Sequence, residues 1–263
     1  MADDVDRKLE AAMCDYWWLP DHAHAVSRPE IEYLVSPQDR KTLNTVIRVH
    51  PGLDDYGPLV REVMTAHRGR GSSWRIGAPS HSPRLAATVL GAGYEIEHPA
   101  DAWSIDVSAR RPAMPDHIRI ERVEDLDGVR HLSQIMSAAF RSEPMSDTQL
   151  EEELVGSVGP DARCRRFVAY DAHNGDPLAT GCLNLYPALG LGFMWGGSTV
   201  AWARGRGVYS ALVTTRMKMA QSLGIQRLGL YARRNTSGLI VQAQGFEKHG
   251  LYFSWIRAST PAP

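Results

Sequence analysis

Apolar positions along this chain switch between a period of two and a period near three and a half, and each switch marks an element. Ile118-Arg119-Ile120-Glu121-Arg122-Val123 alternates as a half-buried strand does. From Asp125 onward, Leu126, Val129, Leu132, Met136 and Phe140 recur at helical spacing, and a second helix runs from Ser146 through Leu150 and Leu154 to Gly156. Strands follow over 165–171 and 178–186, joined by His173-Asn174-Gly175-Asp176, where Asn-Gly supplies the positive φ angles of a tight hairpin. Another strand covers 192–200. Val208 then opens an amphipathic helix with Ala211, Leu212, Met219 and Leu223 on one face, ended by Gly224. A strand over 227–232, a short capped helix from Thr236 or Ser237 to Gly245-Phe246 and a strand over 251–256 complete the half. Antiparallel hairpins followed by a strand-helix-strand crossover imply an α/β fold with a mixed sheet.

The first half ends in the same order. Leu59, Val60, Val63 and Met64 mark a helix, followed by a strand over 73–77, a helix from Ser82 or Pro83 to Leu90, Gly93-Tyr94 and a strand over 102–107. A long-period internal repeat follows from that order. Between the halves, two prolines and two arginines in Ser108–Asp116 read as a linker, giving domains over 1–112 and 117–263.

Charge and composition narrow the partners. With 29 basic and 30 acidic side chains spread along 263 residues, no nucleic-acid footprint or membrane-surface patch stands out. The acidic start Met1-Ala2-Asp3-Asp4 and the lack of a long apolar run suggest a soluble, cytoplasmic chain. Cys14, Cys164 and Cys182 are spaced for neither a disulfide framework nor a metal, and read as ordinary thiols. His22-Ala23-His24 lacks further ligands at metal-site spacing and reads as two exposed loop histidines.

The run Arg-Gly-Arg-Gly occurs twice, at 68–71 and at 204–207. A phosphate is held at a helix N-terminus, where free amides and the positive end of the dipole coincide. The first run follows a helix and precedes a strand, so it reads as a C-cap turn with solvated arginines. The second follows a strand and opens a helix, which is the polarity of a pyrophosphate cradle.

The stretch Thr199-Val200-Ala201-Trp202-Ala203-Arg204-Gly205-Arg206-Gly207-Val208-Tyr209-Ser210 resembles the acyl-CoA motif of the Gcn5-related N-acetyltransferases, Gln/Arg-x-x-Gly-x-Gly/Ala opening a helix. Gly245-Phe246 resembles the pair that closes that family's last helix. The resemblance covers about 117–259 and implies tandem copies of the fold, the second with a splayed central sheet and a pyrophosphate loop. It also implies an acetyl-CoA or other acyl-CoA donor, no metal, and a small-molecule amine as acceptor. On it, Arg204, Gly205, Arg206, Gly207, Val208, Tyr209 and Ser210 cradle the pyrophosphate, while Ser198, Thr199 and Val200 bond the pantetheine amides.

Two departures stand out. Tyr209 replaces the motif's last small residue, and Val241 stands where many members carry an acid tyrosine. Tyr231 is then a candidate proton donor and Glu143 a candidate base or amine contact. Two alternatives stay open: acyl transfer from the phosphopantetheine thioester of an acyl carrier protein, and a non-catalytic acyl-CoA sensor or scaffold. In the first half the corresponding loop, His50-Pro51-Gly52-Leu53-Asp54-Asp55, carries a proline and two aspartates, so that copy is expected to bind no cofactor. Its Tyr16, Trp17 and Trp18 suit either the core or the wall of an acceptor pocket.

Overall fold

The computed structural model describes residues 4–111, 113–159 and 162–259; Pro112 of the linker and the first three residues of the acidic start lie outside them. In chain order the first half forms α1 (Asp4–Met13), β1 (His24–Ser27), β2 (Ile31–Val35), β3 (Thr45–Val49), α2 (Gly57–Ala66), β4 (Ser72–Gly77), α3 (Pro83–Gly91), β5 (Glu95–Ile96) and β6 (Ala100–Asp106). The second forms β7 (Ile118–Arg122), α4 (Leu126–Phe140), α5 (Asp147–Val155), β8 (Cys164–Asp171), β9 (Pro177–Tyr186) and β10 (Leu191–Thr199), then α6 (Val208–Ser222), β11 (Arg227–Arg233), α7 (Ser237–Ala243) and β12 (Glu247–Arg257).

Local chemistry explains the boundaries. Asp125 Oδ1 accepts the Gly128 amide at 2.8 Å and starts α4, and Ser146 with Gln149 forms a reciprocal capping box on α5. Gly175 turns the β8–β9 hairpin at φ 80°. α7 differs from expectation: Thr236 makes no side-chain cap, and the Ser237 hydroxyl instead accepts the Arg233 amide at 3.0 Å.

The chain compacts into two units that do not follow a single cut at the linker. One holds the residues up to Ser104 together with those from Tyr231 onward; the other runs from Ile105 to Leu230. The reason is strand pairing: β12 is antiparallel to both β4 and β6, so the last strand joins the first half.

In the first unit the strand order is β1-β2-β3-β4-β12-β6, with β5 also on β12. β3 and β4 are its parallel pair, matched at Thr45/Ser73 and Val46/Trp74. Ile31, Val46, Val63, Trp74, Ile76 and Leu85 fill the core between that sheet and helices α2 and α3. The second unit has the order β11-β10-β9-β8-β7, again with one parallel pair, β10 and β11. Val129, Leu132, Ile135, Leu150 and Val168 pack α4 and α5 onto it, and α6 buries Ala211, Leu212, Val213, Met217 and Ala220. Each half therefore repeats a parallel pair bridged by one helix, β3-α2-β4 and β10-α6-β11.

Candidate functional site

Both parallel pairs open. In the second unit β10 and β11 are matched at Leu191/Arg227, Gly192/Leu228 and Phe193/Gly229, and the ladder ends there. Beyond Phe193, β10 stays paired only with β9, across a bulge between Trp195 and Ser198. Its other edge leaves the ladder, as a splayed pair must.

The glycine loop follows that edge. Gly205 and Gly207 sit at φ 76° and 79°, the left-handed region that favours glycine, and Gly207 is the residue before α6. α6 begins with no side-chain cap and no acidic residue in its first turn, so its first amides depend on other partners. Thr199 and Val200 end the strand half-buried, while the Ser198 hydroxyl is buried and unpartnered. Arg204 Nε donates to the Thr199 carbonyl at 3.3 Å. Arg206 pairs with Asp171 at 3.2 Å and lies 5.8 Å over the Trp202 ring. The His173 amide and the Arg206 guanidinium together hold the Asp171 carboxyl below its usual range.

The first unit shows the same opening closed by its own groups. β3 and β4 part after Val46/Trp74, and there the Val49 amide donates to the Ser80 hydroxyl at 3.0 Å. At the start of α2, Asp55 Oδ1 accepts the Gly57 amide at 2.8 Å. A carboxylate of the chain takes the position an anion would need.

The bulge is built around two glycines. Gly196 has φ 60°, and a β-carbon there would meet Cys182 Sγ at 3.3 Å; one on Gly197 would meet Tyr209 Cε2 at 3.1 Å. Tyr209, the residue that departs from the motif, thus turns away from the loop amides and lies over the bulge. Beneath Gly196, Cys182 accepts from Arg166 Nη1 at 2.9 Å, and Arg216 Nη1 donates to its carbonyl at 3.3 Å. A hydrogen bond from Cys164, with the nearby Arg166 and Arg216, makes Cys182 the more acidic thiol of the pair. Arg216 is 1 % exposed, and Gly181 leaves the space its guanidinium fills. The spacing of these cysteines along the chain says nothing of this; only the β8–β9 register brings them together.

The two candidate catalytic residues stand apart in kind. Glu143 is exposed in the turn between α4 and α5. Tyr231, two residues past the last β10–β11 match, belongs to the first unit. Its ring stacks on Tyr252 with centroids 3.9 Å apart, and its hydroxyl and Glu10 Oε1 flank Gly77, at 3.2 and 3.7 Å from a β-carbon built there. Burial, then Tyr252, Glu10 and Asp6, push the Tyr231 hydroxyl well above its ordinary range, so it keeps its proton.

Glu10 was not legible as a candidate. It is 9 % exposed, its Oε1 has no hydrogen-bond partner, and burial lifts its carboxyl to about 7, with Ser80 and Arg48 pulling the other way. Among the described residues no group of three or more His, Cys, Asp or Glu side chains is placed to hold a metal ion, and no helix is long and apolar enough to cross a membrane.

Comparison by sequence finds neither a matching family model nor a matching curated protein. Comparison of structures does find relatives. A GCN5-related N-acetyltransferase from Kribbella flavida aligns at TM-score 0.71 and 15 % identity, over 97 % of this chain and 96 % of its own. A second, from Sphaerobacter thermophilus, aligns at 0.66 and 16 %, over 97 % and 86 %. A tandem GNAT protein from the clavulanic acid biosynthesis pathway aligns at 0.59 and 12 %, over 98 % and 89 %. Over nearly its whole length, this chain has the fold of the GCN5-related N-acetyltransferases.

Proposed function

We propose that this protein transfers an acyl group from acyl-CoA to the amine of a small molecule. The observation that carries the reading is the contrast between the two copies of the strand-helix-strand unit. The first fills its opening with Ser80 and its helix start with Asp55. The second opens beside a buried, unpartnered Ser198 hydroxyl and starts α6 behind two left-handed glycines.

In this reading the amides of Gly205, Gly207, Val208, Tyr209 and Ser210 hold the pyrophosphate, with Arg204 and Arg206 on the loop's outer side. Ser198, Thr199 and Val200, on the unpaired edge of β10, hold the pantetheine arm as an added strand. The CoA thioester supplies an activated acyl carbonyl. The bulge residues orient it, and Tyr209 covers Gly197 and bounds the space beside it. The first copy binds no CoA.

Acid-base assistance is sparse: β10 carries no carboxylate, and Val241 is buried where an acid tyrosine would stand. Positioning an unprotonated amine against the thioester supplies much of the rate by itself, on the order of several kcal/mol. Glu143, exposed in the turn between α4 and α5, is a candidate contact for the incoming amine.

The test is release of free CoA thiol from acetyl-CoA in the presence of a panel of small amines. Release that depends on both components supports transfer. Acyl-CoA that is bound but never consumed makes the protein a sensor. Turnover only with an acyl carrier protein moves the donor from CoA to the carrier.

A further inference from the structure

The first Arg-Gly-Arg-Gly run plays no part in that reading, yet it borders a cavity of about 450 Å³ in the first unit. That volume lies within the range of small-molecule sites, about 300–1,000 Å³. Arg68 and Arg70 from the turn after α2 and Arg257 from β12 line it, as does Arg61, whose Nη1 points away toward Gly57, 3.1 Å from where a β-carbon there would stand; no carboxylate lines it.

Part of this arrangement has a local explanation. α2 ends at Ala66, and Gly69 takes φ 80°, so the run caps a helix C-terminus, where cations are favoured. Arg70 Nη2 serves that role by donating to the Ala66 carbonyl. One arginine suffices for it. Arg70 Nε remains buried without a partner, and Arg61, Arg68 and Arg257 form none of the ion pairs found among the described residues. Asp39 stands outside the lining, where the Gly71 amide holds it at 2.6 Å.

The wall behind the arginines is neutral and has no proton to offer. His67 Nε2 donates to the Leu34 carbonyl at 2.8 Å, which leaves Nδ1 to accept from Ser72 at 2.7 Å; Tyr94 then donates to Ser72 at 2.7 Å. Burial lowers His67 to about 4, so it adds no charge at neutral pH. Recognition therefore falls to the guanidiniums, of which Arg70 also lies near the Asp39 carboxylate.

We propose that the cavity bordered by Arg68, Arg70 and Arg257 binds a small molecule carrying phosphate groups. Arginines on a turn and on a strand approach one ligand from different directions; a tetrahedral phosphate offers acceptors in each of them, while a carboxylate offers its two in one plane. The site lies in the first unit, on elements that the acyl-CoA reading does not use.

Titration calorimetry with inorganic pyrophosphate tests it, performed on the Gly207→Glu protein, in which the second glycine loop is weakened. The expected result is one pyrophosphate bound per chain, with affinity falling about tenfold or more in Arg68→Glu/Arg257→Glu. Arg70→Lys, which keeps the charge and loses the fork, weakens binding less, and citrate at equal ionic strength binds more weakly than pyrophosphate. Arg68 is exposed and Arg257 half-buried, and an unchanged melting temperature verifies that the double variant folds. Equal affinity in the double variant, or citrate bound as tightly as pyrophosphate, overturns the proposal.

Discussion

The ring of Tyr209 lies against the backbone of Gly197, with Cε2 at 3.1 Å and the hydroxyl at 4.0 Å from where a β-carbon would stand. The residue that makes this copy of the motif unusual is thereby placed over the β10 bulge. If the bulge orients an acyl group, Tyr209 limits its length. Tyr209→Ala is expected to raise kcat/KM for hexanoyl-CoA relative to acetyl-CoA by about tenfold or more, since even one methylene accommodated in an apolar pocket is worth about 1–3 kcal/mol. Steady-state rates with the two donors measure it, and an unchanged ratio removes Tyr209 from the acyl pocket.

Gly207 combines φ 79° with the position before α6. Gly207→Ala introduces backbone strain alone, about 1 kcal/mol, and should weaken CoA modestly. Gly207→Glu adds a negative charge beside the proposed pyrophosphate and is expected to weaken CoA about tenfold to a hundredfold. Calorimetry with CoA decides the matter: equal affinity in both variants and the parent would show that the loop holds no pyrophosphate.

Glu10 makes stability depend on pH. Its folded pKa, about 7, exceeds the ordinary 4.5, so the folded state holds the proton more tightly than the unfolded state. That contribution is complete below about 4.5 and is lost as pH rises through 7. His67 acts in the opposite sense: lowered from 6.5 to about 4, it costs stability as pH falls through that interval. Above pH 6.5 only the Glu10 slope is left of these two. Glu10→Gln should flatten the fall in unfolding free energy between pH 6.5 and 8, and at pH 8 should stabilise by on the order of 2–3 kcal/mol. Urea unfolding at several pH values reads this directly, and a parallel pair of curves would contradict it.

Cys182 holds two guanidiniums in a buried place. Cys182→Ala removes the acceptor of Arg166 and the acidic partner near Arg216, and should destabilise by about 2–4 kcal/mol. Cys182→Ser keeps an acceptor and should lose less. The midpoint of urea unfolding for the three proteins distinguishes this from simple loss of volume, which would make Ala and Ser alike.

Much of the fold was legible because its signals are local. Leu126 to Phe140, the Asn174-Gly175 turn, and the run from Gly205 through Val208 each specify conformation within a few residues, and they appear where the patterns place them. β1 and β2 left no usable signal. They are four and five residues long, and a short strand is stabilised by neighbours distant in sequence rather than by its own period. The helix α1 likewise escaped notice, and Glu10 with it.

By itself, then, the sequence determined the order of elements through the second half, the matching order in which both halves end, and which of the two glycine runs opens a helix. Those follow from backbone preferences and side-chain periodicity. Tertiary structure alone decided where the last strand goes, that Tyr231 stacks on Tyr252 beside Glu10, that Cys164 and Cys182 come within hydrogen-bonding reach as diagonal neighbours, and that Arg257 joins Arg68 around one cavity. Each of these joins residues far apart along the chain, and burial and electrostatics act through space, so no local pattern carries them.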